Sequence, residues 1–279
     1  MTDSGNSYTL ITGASTGLGK ELAIECARRK MNLVLVSLPG EDLEGLSLEI
    51  IARYNVRVSF HETDLTRREA VEDLAGWVNF NFPVNILINN AGVGGSCRFS
   101  QSSTEYLDNM IRLNISAMVL LIRLLLPELK RHSRSYILNV SSLAAFSPVP
   151  YKTVYPASKS FVHCFSIGLR AELKNTSVSV SVLTPGPIRT NADVRKRING
   201  QSPYVKSSIL SAKKVAEIAL RKLLKRKAVI VPGFINRFNA FMIRLVPVNV
   251  RVYVGTAIFK RELSKKRPGR TRETRISLN

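Results

Sequence analysis

Carboxylates are scarce in this chain. Its 279 residues carry 20 Asp and Glu against 41 Lys and Arg, a net charge of +21 at pH 7. A surplus of that size suits an acidic counterpart: nucleic acid, an anionic membrane surface or an acidic ligand. No nucleic acid partner is expected, because no zinc-finger spacing, aromatic-interleaved basic patch or other nucleic-acid motif is present. Part of the surplus is local, since residues 251–279 hold nine Lys and Arg against two Glu. Cysteine is also rare. Cys26, Cys97 and Cys164 are far apart and match neither a metal-ligand spacing nor a disulfide framework. They read as free thiols of a reducing, cytoplasmic setting. The longest apolar run, 115–126, is interrupted by Arg123 and too short to span a bilayer, so it reads as a buried helix. Residues 1–7 are polar and carry no basic segment ahead of an apolar run, so no signal peptide is expected.

What the chain does contain is a repeated alternation. Short, almost uninterrupted apolar runs at 8–11, 32–36, 56–60, 84–88, 135–140, 178–183 and 228–231 read as strands. Between them lie segments of helical periodicity at 18–29, 41–53, 67–78, 105–131, 154–174 and 212–224. Strands apolar on both sides and separated by helices predict an α/β fold: a doubly wound parallel sheet (Rossmann fold) of about seven strands with helices on both faces. The segment 188–211 is polar, basic and weakly periodic, and reads as a loop or short helices over a site. One catalytic and dinucleotide-binding domain is expected over 1–232, with an amphipathic extension and basic tail over 233–279.

The first strand runs into Thr12-Gly-Ala-Ser-Thr-Gly-Leu-Gly19, which opens the first helix. Glycines there let the backbone turn tightly, and the helix N-terminus offers free N–H groups and positive dipole to a pyrophosphate. The turn, Gly13, Ser15, Thr16, Gly17, Leu18 and Gly19, is therefore expected to hold a dinucleotide. The second strand ends at Ser37, where an NAD-selective site usually places an acid. No carboxylate follows until Glu41, and no arginine stands at 38–40 to clamp a 2′-phosphate. NADP(H) is preferred on this balance, with NAD(H) left open.

Tyr155 and Lys159 are four residues apart on a predicted helix and so share one face. A phenol titrates near pH 10, and a neighbouring ammonium is expected to bring it down towards neutrality. Ser142, thirteen residues earlier, could hold a substrate oxygen against that phenol. Taken alone, a Tyr-x-x-x-Lys pair is far more often a half-buried ring beside a solvated lysine.

Together with Asn89-Asn-Ala-Gly92, Asn114 and Pro185-Gly186, these motifs resemble the short-chain dehydrogenase/reductase family over about residues 8–224. The glycine spacing is similar to that of its single-domain branch, and the closest likeness is to bacterial reductases with a basic C-terminal extension. The resemblance implies that Tyr155 is the acid–base, that Lys159 lowers its pKa and binds the nicotinamide ribose, and that Ser142 polarises the carbonyl. It implies that Asn114 holds a water linking Lys159 to solvent. Asn90, Ala91 and Gly92 would lie against the ribose, and Asp64 and Leu65 would flank the adenine. Pro185, Gly186, Ile188 and Thr190 would serve the carboxamide end. No metal is implied.

The substrate is read as a small carbonyl compound or alcohol. Pocket walls are expected from 94–99, 143–151 and 188–204, of which the second is apolar and suits a lipophilic molecule. Arg189, Arg195, Lys196, Arg197 and Lys206 would meet an acidic substrate portion or simply face solvent. In the extension, Phe234, Ile235, Phe238, Phe241, Met242, Leu245 and Val246 recur at helical spacing. Such a helix could lie peripherally on a membrane, pack on the pocket, or pack on another subunit. A homodimer or homotetramer through 105–131 and 154–174 is a family expectation. Two other readings stay open: a cofactor-sensing protein without catalysis, and a membrane-surface protein on the same fold.

Overall fold

The computed structural model describes residues 6–95, 98–189, 207–253 and 255–256. Seven parallel strands form one sheet in the order β3-β2-β1-β4-β5-β6-β9. They are β1 (Tyr8–Thr12), β2 (Asn32–Ser37), β3 (Val58–Glu62), β4 (Val84–Asn89), β5 (Ser135–Val140), β6 (Val178–Leu183) and β9 (Val229–Ile230). β2, β5 and β6 are buried along their whole length, as their unbroken apolar runs require.

Side chains alternate between two cores, one on each face of the sheet. Leu10, Val34, Val36 and Ile137 face helices α3 (Arg68–Asn81), α5 (Met118–Arg131) and α6 (Val154–Glu172). Ile11, Leu33, Leu35 and Leu138 face α1 (Gly17–Arg28), α2 (Leu43–Tyr54) and, after β6, α7 (Ala212–Leu224). The predicted doubly wound sheet is therefore the observed one. β3 begins two residues later than its apolar run suggests. Asn55, at φ 51°, ends α2 in the left-handed region, and Arg57 gives its carbonyl to Leu33 N at 2.9 Å before the strand pairs regularly.

The long run 105–131 is one helical path of three parts: α4 (Thr104–Ile111), a π-helical turn (Arg112–Ala117) and α5. It is long and apolar enough to cross a membrane by composition. Its inward residues Met110, Leu113, Met118, Leu121, Leu125 and Leu129 are nevertheless buried in the core against the sheet, which makes it a sheet-covering helix. Within 188–211, two short strands, β7 (Ile188–Arg189) and β8 (Leu210–Ser211), pair in parallel. Thr190, Arg195, Lys196, Arg197 and Lys206 lie outside the described residues, as do Cys97 and the tail from 257. Beyond β9, α8 (Phe234–Leu245) follows and residues 248–253 are again helical.

Candidate active site

Strand order reverses on either side of β1, and that reversal opens a crevice at the carboxyl ends of β1 and β4. The glycine turn lies there. Gly13 and Gly17 sit at φ 65° and 56°, the left-handed region where a side chain is strained. Gly19 has no room either, because a Cβ would stand 1.8 Å from Gly13 O. Asn90 fastens the turn to β4: its Nδ2 donates to Thr12 O at 3.1 Å and Gly13 O at 2.9 Å. The N–H groups of Asn90 and Ala91 in turn donate to Thr12 Oγ1, each at 3.1 Å. Beside the turn a narrow slot is lined by Gly13, Ser37, Leu38, Asp64, Leu65 and Ala91. With Thr63, Thr66 and Leu113 completing its lining, the slot gathers Gly13, Ser37, Asp64, Leu65 and Ala91, five of the residues expected at the cofactor, into one cleft. A turn that only glycine can form, leading into a helix N-terminus beside a mostly apolar slot, fits a dinucleotide.

One group there escaped sequence reading. Ser15 Oγ donates a short hydrogen bond to the Glu41 carboxylate. The loop reverses through Gly40 and Asp42, at φ 79° and 53°, and so returns Glu41 to the turn. Spacing gave no hint of that contact. Ser37 Oγ donates to Leu38 O at 3.0 Å.

The π-helical turn carries Asn114 into the interior. Its Oδ1 accepts from Val93 N at 2.8 Å, and its Nδ2 donates to Val93 O at 2.9 Å and Ser158 Oγ at 3.0 Å. An inserted residue in a helix is a frequent device at functional sites, and here it aims a side chain that regular spacing would turn elsewhere. The 90–93 segment is thus held between β1 and the asparagine. A Cβ on Gly92 would lie 3.0 Å from both Asn114 Oδ1 and Lys159 Nζ, so the segment passes close under the lysine.

α6 presents Tyr155 and Lys159 from one face, as their spacing requires. Lys159 is 5% exposed and its Nζ donates to Val140 O at 3.0 Å, while Ser141 Oγ donates to Lys159 O at 2.7 Å. A polar ladder fixes the helix farther along. Asn89 Nδ2 donates to Asn139 Oδ1, and Asn139 Nδ2 donates to Ser166 Oγ, each at 2.9 Å. Ser142 accepts from Ala144 N at 3.2 Å, and its hydroxyl lies near enough to Tyr155 to draw the phenol's proton affinity down. Gly94, expected only as a pocket wall, lies so near the Tyr155 ring that a Cβ would be 2.6 Å from its edge.

The electrostatics differ from the expectation on one point. Burial pushes the Tyr155 phenol up, and the hydrogen bond with Ser142 opposes this without reversing it. Lys159 is not among the groups that move the phenol, and desolvation pulls its own pKa down to about 8. Its Nζ is 5.9 Å from the centre of the phenol ring and is committed to a carbonyl. A neutral phenol beside a neutral hydroxyl can donate a proton to an oxygen placed between the two.

The extension reaches this region from the other side. Asn236 of α8 is 2% exposed and donates to Ser208 O at 2.9 Å and Pro232 O at 3.0 Å. It fills the space beside Gly186, where a Cβ would meet it at 2.5 Å. Arg244 stacks 4.5 Å from the centre of the Phe146 ring, and Arg251 bonds the Phe146 carbonyl. Together the 145–150 loop, the start of α6 and Val252 line an open hollow of about 450 Å³, walled mainly by Ala145, Phe146, Pro148, Val149, Pro150 and Pro156.

Comparison with known proteins agrees with the geometry. A family model described as short chain dehydrogenase matches residues 7–225. Very-long-chain 3-oxoacyl-CoA reductase from Anas platyrhynchos is 32% identical over 216 residues, 72% of this chain and 67% of that protein. 17-beta-hydroxysteroid dehydrogenase type 3 from Mus musculus is 34% identical over 186 residues, 66% of this chain and 60% of that protein. The chain therefore aligns with only about two thirds of these relatives' own length. Among solved structures, a short-chain dehydrogenase from Sphingobium yanoikuyae in complex with NADPH superposes with a TM-score of 0.74 at 26% identity. That superposition covers 96% of this chain and 99% of the other. By matched length, fold and motif placement, the chain belongs to the short-chain dehydrogenase family.

Proposed function

We propose that this protein is an NADP(H)-dependent oxidoreductase acting on a carbonyl or secondary alcohol of a lipophilic small molecule, of ketone or oxoacyl type. The observation that carries the reading is the half-buried Tyr155 phenol beside the Ser142 hydroxyl, with the buried Lys159 one turn away and Asn114 behind it. When bound, the nicotinamide supplies or accepts the hydride. The chain's own residues manage the proton and the placement. In the reductive direction Ser142 donates a hydrogen bond to the carbonyl oxygen, and Tyr155 Oη releases its proton to that oxygen as the alcohol forms. Lys159 stabilises the resulting phenolate, and Asn114 stands on the route by which a proton returns. Gly13, Ser15, Thr16, Gly17, Leu18 and Gly19 would hold the pyrophosphate. Ser37, Asp64 and Leu65 would take the adenosine end, and 90–92 the ribose. Pro185, Gly186, Ile188 and Thr190 would orient the nicotinamide.

NADP(H) is favoured by the absence of an acid at the end of β2, by the positive field of the protein, and by the NADPH named in the Sphingobium complex. Glu41 on Ser15 works against a 2′-phosphate and keeps NAD(H) as the competing cofactor. A lipophilic substrate is supported by the apolar sequence of 143–151, which follows Ser142, and by the substrate classes in the names of the two relatives. The catalytic and dinucleotide-binding domain is 1–232, with 233–279 as its extension, in a cytoplasmic setting. A dimer or tetramer would pair across the outer faces of the 104–131 run and α6, where Ile111 and Phe161 are exposed.

The test is direct. NADPH should change fluorescence on mixing with the protein, and NADPH absorbance should fall when long-chain 3-oxoacyl thioesters or ring-bearing ketones are added. A panel in which only short hydrophilic carbonyls turn over would overturn the substrate class. No response to either nicotinamide cofactor would overturn the function.

A further inference from the structure

α8 is assembled inside out. Its buried residues are Asn236 and Ala240, whereas Phe234, Phe238, Phe241 and Leu245 are 75%, 52%, 61% and 62% exposed. Steps of four, three and four residues put those four side chains on one stripe of the helix. Val248 and Tyr253 add further exposed apolar surface just beyond it. Core packing does not account for side chains that point away from the core, and a contiguous patch of this kind marks an interaction surface.

The charge around the stripe selects the partner. Arg237 and Arg244 fall along one flank of it, and no carboxylate occurs in the sequence between Glu217 and Glu262. At the foot of α8, Lys222 has its proton affinity lowered first by burial and then by Arg237, Arg221 and Lys227, a crowd of cations. A helix with an aromatic stripe and basic margins is what an anionic lipid surface binds.

We propose that α8 docks in the plane of an anionic bilayer, with Phe234, Phe238, Phe241 and Leu245 at the headgroup–acyl boundary and Arg237 among the lipid phosphates. A second copy of this chain fits the face less well, because pairing two such surfaces would bring two carboxylate-free cationic regions together. The docking itself is independent of the reaction. The segment that follows the stripe borders the apolar hollow through Val252 and bonds the Phe146 carbonyl through Arg251, which ties the docking helix to the 145–150 loop.

The experiment is co-sedimentation of the full chain with vesicles of equimolar phosphatidylcholine and phosphatidylglycerol, beside vesicles of phosphatidylcholine alone. Binding to the mixed vesicles that weakens with added salt is expected, with little binding to the neutral ones. Phe238→Ser/Phe241→Ser should cut the partition at least about tenfold, and Phe238→Glu/Phe241→Glu about a hundredfold. Both variants should keep the wild-type circular dichroism and melting temperature, since these side chains are outside the core. Wild-type partition by the folded glutamate variant would overturn the proposal. So would failure of the wild type to sediment with the mixed vesicles, or a dimer that the variants dissociate without any vesicle binding. Absence of nicotinamide turnover would count against the proposed function and leave the vesicle result standing.

Discussion

α6 and α8 both break the rule that apolar residues go inside, and they break it in different ways. α6 takes Lys159, Ser158 and Ser166 into the interior, each with a hydrogen-bond partner: Val140 O, Tyr155 O and Val162 O. α8 takes in an asparagine and leaves its phenylalanines outside. The first exception costs solvation energy in order to hold a proton donor and a cation in a dry site. The second leaves apolar area uncovered among the described residues, the mark of an interaction surface. Buried polarity points to chemistry and exposed apolarity to a surface.

That comparison can be broken from the α6 side first. Lys159→Met should abolish turnover and yet stabilise the fold by about 2–3 kcal/mol, since it removes a desolvated ammonium that has no carboxylate partner. The pH dependence has a definite sign. Folding lowers the lysine from its ordinary 10.5 to about 8, so between those values the unfolded chain holds a proton that the folded one lacks. Wild-type stability from this group should therefore rise with pH across that window, with its cost fully present below about 8. Urea titrations at several pH values should show the rise in the wild type and its loss in Lys159→Met. A variant less stable than wild type at neutral pH would mean that the Val140 bond outweighs desolvation.

The α8 side carries smaller effects. Asn236→Leu leaves the carbonyls of Ser208 and Pro232 without their donor and presses on Gly186, and should cost about 1–3 kcal/mol in thermal or urea unfolding. Phe238→Ser, two residues along the same helix, should change stability by no more than about 0.5 kcal/mol. If the two ranked the other way, the helix would be packed with its aromatic face inwards and the contrast with α6 would disappear.

Strand and helix positions were largely legible because two-sided burial forces unbroken apolar runs such as Leu33–Val36, and because glycine spacing is dictated by the left-handed turn at Gly13 and Gly17. The site motifs were legible for the same reason: Asn90, Tyr155 and Lys159 lie where their spacing implies. Four features were not. Periodicity marked one apolar side on α8 without saying which way that side would face. The π-helical turn at Asn114 depends on a local insertion that no propensity encodes. Glu41 reaches Ser15 only because the loop reverses through Gly40 and Asp42. The direction of the Tyr155 shift turned on burial, which sequence spacing does not measure: proximity of a lysine suggested a lowered phenol, and desolvation of both groups gave the reverse.

The central claim is that the Tyr155 phenol passes its proton to an oxygen held by Ser142. It is tested by comparing wild type and Tyr155→Phe for NADPH binding by fluorescence and for NADPH oxidation in the presence of a carbonyl compound that the wild type reduces. The account predicts unchanged folding, NADPH affinity within a few-fold, and a rate lowered by about 10²–10⁴. A phenylalanine variant that binds NADPH and turns over at the wild-type rate would contradict it.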